Sequence, residues 1–371
     1  MRPLRILHVV SNRWWTGSAE PALDLARALR RRDHEVAFAC IRGDALEAKA
    51  RALGLPPVEG PTLEPTARPW ALLRDVRALR RAVRDRGVEL VHAHLSHDHW
   101  LAALALRGTR IRLVRTVHHR RGLHRGPAAA WLFRRTDAVI AVSRGIADAA
   151  EAAGIDAARV NAVPGAVDVE RFSPTAGGGA IRTELGLDGS SVVGCVARLV
   201  PGRGHDVLLE ATQRLRDRVP RLCLLLVGRG EGRAAVEGRV RELGLGDVVV
   251  FAGYRGDDLP GVLAAMDVAV LLGVGSEESC RAVLEAMAVA RPVVAARVGA
   301  LPETVVDGET GWLVEAAPEA VAERLARVLT DLARARAMGA AGRRRVETLF
   351  TPERRAAAVE AVYGRVLGVG G

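Results

Sequence analysis

Two carboxylates stand eight residues apart where the sequence predicts a strand, a loop and a helix in succession. Residues 267–272 form an apolar run typical of a buried strand, a Gly/Ser/Glu loop follows, and an Ala-rich helical pattern surrounds Glu285. The first turn of a helix presents free amide N–H groups, which hold phosphate. Glu285 in the helix and Glu277 in the loop could each accept hydrogen bonds from vicinal hydroxyls. A phosphate between two polyols is the chemistry of a nucleotide sugar.

Two arginines follow another predicted strand, at 192–196. Arg198 and Arg203 would place two cations beyond the end of a buried strand. Such cations neutralise a diphosphate and stabilise the negative charge that grows on it as a glycosidic bond breaks. The guanidinium fork suits this task because it binds phosphate through two parallel hydrogen bonds. The competing interpretation is two solvated arginines in an Arg-rich chain.

These motifs resemble the donor site of the retaining family 4 glycosyltransferases, which have the GT-B fold. Glu277 and Glu285 are followed by Ala-Met-Ala and then by Arg-Pro-Val-Val-Ala at 291–295. The resemblance covers nearly the whole chain. It implies that Glu277 contacts the transferred sugar, that Glu285 contacts the ribose, and that Arg198 and Arg203 hold the leaving diphosphate. Arg203 stands where the family usually has lysine.

The resemblance also implies which further residues touch the donor. The amides of residues 279–282 would face the sugar and the phosphate, and the backbone near Arg255 would lie beside the base. Gly17, in the loop after the first predicted strand, matches a family glycine that approaches the donor phosphate. The predicted donor-binding residues are Gly17, Arg255, Ser279, Cys280, Arg281, Ala282 and Glu285.

A histidine-rich segment at 91–100 is the main candidate for the acceptor side. Histidines and Asp98 at short spacing are compatible with a metal site. The family has His-x-His here without metal, so we predict no metal and a cleft lined by residues 97–100. His118 stands where a family histidine reaches the reacting centre, and a structural histidine is the competing interpretation. The predicted catalytic residues are His118, Glu277, Arg198 and Arg203, and the acceptor-side residues are Trp15, His94, His97 and His99.

Apolar runs alternate with helical patterns almost from end to end, which predicts βα units and parallel sheets. A Gly/Pro/Ser cluster at 173–190 indicates a linker. We therefore predict an α/β protein of the GT-B type, with two Rossmann-like domains facing across a cleft. The first would span 1–172 and bind the acceptor, and the second would span 191–350 and bind the nucleotide sugar. By resemblance, a C-terminal helix at 351–371 would return to the first domain.

The chain is basic, with 54 Lys and Arg against 43 Asp and Glu, a net charge of +11. This excess suits an anionic partner, although background composition accounts for it equally well. A predicted amphipathic helix at about 71–86 carries arginines opposite an apolar stripe, so docking to an anionic membrane is one hypothesis. Four scattered cysteines fit a reducing cytoplasm, and no apolar run approaches the length of a membrane span.

The sequence thus predicts a cytoplasmic, retaining, metal-independent glycosyltransferase, with peripheral attachment to the inner face of the membrane as one hypothesis. No cofactor is expected beyond the nucleotide-diphosphate sugar as co-substrate. The acceptor would be a lipopolysaccharide, a lipid-linked glycan or a small molecule, and no nucleic acid is expected as partner. Two alternatives stay open: an NAD-linked oxidoreductase, disfavoured by a broken glycine fingerprint at 228–233, and a non-catalytic polyanion-binding protein, suggested by charge alone.

Overall fold

The computed structural model describes residues 1–13, 19–66, 68–274 and 280–369, which form twelve β-strands and fifteen α-helices. The strands are β1 (Arg5–Val10), β2 (Glu35–Cys40), β3 (Leu90–Ala93), β4 (Arg112–Val117), β5 (Ala138–Ala141), β6 (Val160–Ala162), β7 (Ser191–Val196), β8 (Leu222–Val227), β9 (Val249–Gly253), β10 (Val268–Leu271), β11 (Val293–Ala296) and β12 (Gly311–Val314). The helices are α1 (Glu20–Arg30), α2 (Ala45–Ala52), α3 (Pro69–Asp85), α4 (Ser96–Ala105), α5 (Pro127–Arg134), α6 (Arg144–Ala152), α7 (Gly178–Glu184), α8 (His205–Leu215), α9 (Arg233–Glu242), α10 (Leu259–Ala264), α11 (Arg281–Ala288), α12 (Leu301–Thr304), α13 (Pro318–Thr330), α14 (Leu332–Leu349) and α15 (Pro352–Leu367).

The described residues of 1–165 and 352–369 form one compact unit. Its six strands make a parallel sheet in the order β2-β1-β3-β4-β5-β6. Ile6 and Ile140 of the sheet share a core with Val359 and Tyr363 of α15. The C-terminal helix therefore belongs to the first unit, as predicted.

The described residues of 166–351 form a second compact unit. Its parallel sheet has the order β12-β11-β10-β7-β8-β9. Successive residues of β8 are buried on opposite faces, with Leu225 in one apolar core and Leu224 in the other. Because helices cover both faces, the strands of such sheets are apolar throughout. This explains why the sequence shows them as uninterrupted apolar runs.

Strand order reverses once in each sheet, between β1 and β3 in the first unit and between β7 and β10 in the second. In doubly wound sheets ligands bind outside the carboxyl ends of the strands at this reversal. The predicted fold class, two Rossmann-like parallel-sheet domains with a C-terminal helix on the first, is confirmed.

The segment predicted as the linker, 173–190, contains α7 and belongs to the second unit. Ile181 and Leu187 anchor it in the core beside Val262 and Leu263 of α10. The two units instead divide between residues 165 and 166. The glycines at the start of α7 made this segment resemble a linker, so the sequence did not show that Ile181 and Leu187 are core residues.

None of the helices in the described part of the chain combines the length and the apolar character that a membrane span requires.

Candidate donor site and histidine cluster

The strand reversal of the second unit brings together the segments that follow β7 and β10. Gly204, at the end of the β7 loop, has φ +78°, and a Cβ there would lie 2.5 Å from the Cβ of Leu272. Only glycine allows this approach, because real Cβ atoms do not come so close and L side chains rarely adopt this φ. The Arg203 Nη1 donates a hydrogen bond to the carbonyl oxygen of Val274, beyond β10. Arg203 is thus held at the reversal, where the sequence predicts the diphosphate.

Arg198 lies earlier in the same loop and is exposed. Its Nη2 lies 3.4 Å from the Glu231 carboxylate, and the two side chains are 60% and 74% exposed. An exposed pair of this kind contributes at most about 1 kcal/mol. A diphosphate, with its higher charge, can therefore replace Glu231 as the partner of Arg198 at little cost.

The loop after β8 packs directly on the loop that carries Arg198. Gly228 has φ +146°, and a Cβ there would lie 2.0 Å from the carbonyl oxygen of Ala197. This close approach explains the glycine-rich turn at 228–232, which had suggested a dinucleotide fingerprint. The glycines bring two loops of the second unit into contact.

Helix α11 begins at Arg281, after the buried Cys280, whose φ of +53° is in the left-handed region. Ala282 is half-buried in the first turn. The Arg281 Nε donates to the Glu285 Oε1 at 2.8 Å, and these side chains are only 11% and 8% exposed. A buried charge is stable only with such a partner, so Arg281 fixes the position of the Glu285 carboxylate. Glu277 and Ser279 lie outside the described residues, and their predicted roles stay predictions.

Arg255 has a different environment from the other predicted donor-site arginines. Its guanidinium donates to Glu184 at 2.5 Å, to Asp258 at 2.6 Å and to the carbonyl oxygen of Ala252 at 3.3 Å. The bond to Glu184 makes the largest contribution to a raised pKa of Arg255, and Asp258 adds to it. The side chain is committed to the protein, so only the backbone near Arg255 can serve a nucleotide base, as the resemblance implies.

Four histidine rings cluster near the strand reversal of the first unit. His8 lies within β1, His92 within β3, His94 just beyond β3 and His118 just beyond β4, and all four are buried. The ring centroids of His92 and His94 are 4.3 Å apart, and those of His94 and His118 are 5.6 Å apart. We call these four rings the histidine cluster.

Burial controls the charge of this cluster. Desolvation, with a smaller contribution from the positive charge of Arg355, lowers the pKa of His8 to about 3. Desolvation also lowers the pKa values of His92 and His94 well below the usual range, and the neighbouring histidines and Arg355 lower them further. His8, His92 and His94 are therefore neutral at physiological pH.

Asp98 fixes the backbone beneath the cluster. Its carboxylate accepts hydrogen bonds from the amides of Leu95 at 2.7 Å, Ser11 at 3.2 Å and His94 at 3.3 Å. The buried Arg115 lies 4.0 Å away. Burial raises the pKa of Asp98 to about 7, and Arg115 and the three amides oppose this rise. Asp98 ties together the carboxyl ends of β1 and β3.

The other predicted acceptor-side residues have different positions. His99 is in the core, where its Nε2 lies 2.8 Å from the Thr136 hydroxyl and its ring packs against Phe133. A buried, bonded ring offers no surface to an acceptor, so His99 is a core residue rather than an acceptor-side one. The same holds for His94, which is fully buried and has both ring nitrogens engaged. His97 is half-buried, and desolvation lowers its pKa. Trp15 and Gly17 lie outside the described residues.

Comparison with known proteins identifies the family. Residues 15–171 match the family described as Glycosyltransferase Family 4, and residues 180–345 match Glycosyl transferases group 1. A GDP-mannose-dependent alpha-(1-6)-phosphatidylinositol monomannoside mannosyltransferase of Mycobacterium tuberculosis is 33% identical over 323 residues, which cover 81% of each chain. The chain belongs to glycosyltransferase family 4. The enzyme is thus a glycosyltransferase that uses a nucleotide-sugar donor.

Two further similarities place this glycosyltransferase among its relatives. A 2-deoxystreptamine glucosyltransferase of Streptomyces kanamyceticus is 34% identical over 260 residues, which cover 68% of this chain and 64% of the relative. The crystal structure of HepE of Anabaena in complex with UDP and glucose superimposes with a TM-score of 0.85 at 22% identity, covering 97% of this chain and 99% of HepE. At this identity the likeness establishes the GT-B fold.

Sequence reasoning did not identify His8, Thr116 or Tyr363 as partners of the enzyme's histidines. The only signal was a histidine in β1 whose neighbours at 6, 7, 9 and 10 are all apolar. A buried polar group needs a partner, so this position predicts a bonded ring, but its partners come from β3, β4 and α15. No local pattern in the sequence connects these elements.

Proposed function

We propose that the enzyme transfers a hexose from a nucleotide-diphosphate sugar to a hydroxyl of a glycoconjugate, with retention of anomeric configuration and without a metal ion. The observation that carries this proposal is the geometry at the reversal of the second sheet. There Arg203 is held against the segment that follows β10, and Arg281 orients Glu285 at the start of the next helix. Cations and an oriented carboxylate are the groups that a diphosphate and a ribose require.

The donor we propose is GDP-mannose. The mannosyltransferase that covers 81% of this chain is described as GDP-mannose-dependent, and it acts on phosphatidylinositol monomannoside. The Streptomyces relative acts on 2-deoxystreptamine. Both acceptors contain a cyclitol, so we propose a polyol acceptor, in a lipid-linked glycan, a lipopolysaccharide-type molecule or a related glycoconjugate.

In the proposed mechanism the acceptor attacks from the face that the diphosphate leaves. Arg198 and Arg203 stabilise the charge that develops on the diphosphate as the glycosidic bond breaks. A diphosphate oxygen takes the proton of the attacking hydroxyl. Glu285 holds the ribose, Glu277 contacts the sugar, and His118 binds a hydroxyl near the reacting carbon. Cations supplied by the protein take the place of a divalent metal in this scheme.

Retention and metal independence can be tested together. GDP-mannose labelled with ¹³C at the anomeric carbon is incubated in EDTA with phosphatidylinositol monomannoside, and the one-bond C–H coupling of the product gives its configuration. The proposal predicts an α-linked product from the α-linked donor at an unchanged rate in EDTA. A β-linked product would refute retention, and activity that needs added Mg²⁺ or Mn²⁺ would refute metal independence.

We further propose that α3 docks the first unit on the cytoplasmic face of an anionic membrane. Trp70 and Leu73, in its first turn, are 70% and 47% exposed. The buried side of the helix, formed by Leu79 and Val83, packs into the core. Among the described residues, three exposed arginines of α3 have no ion-pair partner: Arg77, Arg80 and Arg81. An exposed tryptophan beside uncompensated arginines is typical of a surface that binds anionic lipid.

Vesicle sedimentation tests this surface. The wild type is expected to bind phosphatidylglycerol vesicles and not phosphatidylcholine vesicles. Replacement of Arg77, Arg80 and Arg81 by Gln should weaken binding at least tenfold, since each near-surface cation contributes about 1 kcal/mol. The control replaces Arg218, Arg241 and Arg336 of the second unit, which are also exposed and without an ion pair among the described residues. Equal loss in both triple variants would mean that net charge alone drives binding.

A further inference from the structure

We infer that His8 and His94 fix the tautomer of His118 through ring-to-ring hydrogen bonds, so that His118 carries its proton on Nδ1. His8 and His94 would then be positioning residues for the reaction. Only the consequence for catalysis rests on the proposed role of His118 near the reacting centre. The tautomer itself follows from the described residues of the first unit.

The three rings form a continuous chain. The Nδ1 of His8 lies 3.0 Å from the Nε2 of His94, and the Nδ1 of His94 lies 3.4 Å from the Nε2 of His118. The rings of His94 and His118 are inclined by 30°. Each contact joins two imidazole nitrogens, so one nitrogen in each contact must carry the proton and the other must accept it.

Because the rings are neutral, both hydrogen bonds must be donated in the same direction along the three rings. A neutral imidazole has one N–H and one lone pair, and the desolvation that lowers the pKa values of His8 and His94 keeps both rings neutral. If His8 donates to His94, then His94 must donate to His118. If His118 donates to His94, then His94 must donate to His8.

The far end of the chain decides between these two directions. The Nε2 of His8 is buried and has no hydrogen-bond partner among the described residues. If the hydrogen bonds run from His118 toward His8, this atom is a buried N–H without an acceptor. If they run from His8 toward His118, it is a lone pair without a donor. Among backbone groups, buried N–H donors without an acceptor are rarer than acceptors without a donor, and we apply the same preference to this ring. His8 therefore donates from Nδ1, and the lone pair of His118 Nε2 accepts from His94.

His92 holds the column of rings in place without joining the chain. Its Nδ1 lies 2.5 Å from the Tyr363 hydroxyl, and its Nε2 lies 2.7 Å from the Thr116 hydroxyl. Its ring stacks on His94 with 4.3 Å between centroids. Both nitrogens of His92 are thus occupied by hydroxyl groups from α15 and β4. This locks the ring against which His94 packs.

A metal ion is the rival explanation for the same residues. The candidate ligand nitrogens of His8, His92 and His94 lie within 4.8 Å of one another. Coordination would need nitrogens that His92 and His94 now use for hydrogen bonds, and it would leave His94 unable to relay a proton position to His118. The two explanations therefore make opposite predictions for His118.

The consequence concerns the chemistry of His118. With its Nε2 engaged as an acceptor from His94, His118 acts as a donor in any hydrogen bond that it makes through Nδ1. It does not act as a base through Nε2. This deepens the proposed function by making His118 a group that orients a hydroxyl or stabilises a charged oxygen.

Two-bond ¹H–¹⁵N spectra of ¹⁵N-histidine-labelled enzyme test the tautomer without any activity assay. Wild-type His118 is expected to show only the Nδ1–H pattern. His8→Phe removes the donor and should give a mixture of both tautomers at His118. His8→Asn, whose amide N–H occupies the place of Nδ1–H, should restore the wild-type pattern. His99→Phe, the control, alters a buried histidine outside the chain and should leave His118 unchanged.

Three results would overturn the inference. The first is a wild-type His118 protonated on Nε2, and this spectrum decides even if His8→Phe fails to fold. The second is an unchanged tautomer in a folded His8→Phe. The third is stoichiometric Zn²⁺ in the purified enzyme with loss of the His94 to His118 coupling on metal binding. If transfer activity is present, kcat should fall at least about tenfold in His8→Phe at unchanged donor KM, and His8→Asn should recover it.

Discussion

At the scale of single residues, Arg203 illustrates how a departure from the family pattern can be compatible with function. The family usually has lysine there. The guanidinium still reaches the carbonyl oxygen of Val274 at the strand reversal, a bond that an ammonium can also make. We therefore expect that the position needs a cation held against the segment after β10 and not the shape of arginine.

Arg203→Lys is therefore expected to keep donor affinity within about threefold of the wild type, whereas Arg203→Gln should weaken it by about ten- to a hundredfold. The larger loss reflects one charge-assisted hydrogen bond of about 1.5–3 kcal/mol. Calorimetric titration with the donor measures both variants. Arg216→Gln, which removes a surface pair with Asp247 at 2.8 Å, is the control. A large loss in Arg203→Lys would show that the fork geometry matters.

At the scale of elements, Asp98 connects three pieces of backbone that carry the histidine cluster. It lies in the first turn of α4 and accepts bonds from amides that follow β1 and β3. The sequence presented Asp98 only as a possible metal ligand. Its anchoring role depends on two strand ends that are far apart in the chain, so it could not be seen before the fold was known.

Asp98→Asn should lower the free energy of unfolding by about 1–3 kcal/mol, because the amide nitrogen must face a backbone N–H that then has no acceptor. Urea denaturation followed by circular dichroism measures the change. Asp148→Asn is the control, since it removes one side of an exposed pair with Arg144 at 3.7 Å and should stay within about 0.5 kcal/mol. Equal stability of Asp98→Asn and the wild type would refute the anchoring role.

The sequence predicted elements well where burial imposed a continuous apolar run and poorly where it did not. β8, buried along its whole length, was evident from Leu222–Val227. The edge strands β6 (Val160–Ala162) and β12 (Gly311–Val314) were missed. β6 is three residues long and contains a single strongly apolar residue. β12 begins with Gly311, directly after the turn-forming sequence at 307–310. Helix α7 begins with two glycines, which are unfavourable in a helix and hid it in the sequence.

At the scale of the whole molecule, the buried histidines couple stability to pH. His8 has a pKa of about 3 in the folded chain against an ordinary value of 6.5. Between these values the unfolded chain binds a proton that the folded chain does not, so stability must fall as the pH is lowered. Arg355 from α15 adds to the preference of His8 for the neutral form. His92 in β3 and His94 just beyond it share this preference.

Lowering the pH from 6.5 to 4.5 should therefore destabilise the wild type by about 2–3 kcal/mol more than His8→Asn, at about 1.4 kcal/mol per pH unit for one proton. Comparing the pH dependence of the urea midpoint in the two proteins cancels the contributions of the other groups, Asp98 included. Parallel pH profiles would mean that burial does not lower the pKa of His8, and this would refute the coupling of stability to pH through this ring.

The central claim is that the loops after β7 and β10 bind a nucleotide-diphosphate sugar, and calorimetric titration in EDTA tests it most directly. The ligands are GDP-mannose, other GDP-, UDP-, ADP- and TDP-linked sugars, and NAD(H). We expect GDP-mannose to bind, with an affinity that is at least tenfold weaker in Glu285→Gln and unchanged in Glu323→Gln, which alters an exposed pair with Arg327 at 2.6 Å. Equal affinity in Glu285→Gln and the wild type, or binding of NAD(H) alone, would contradict it.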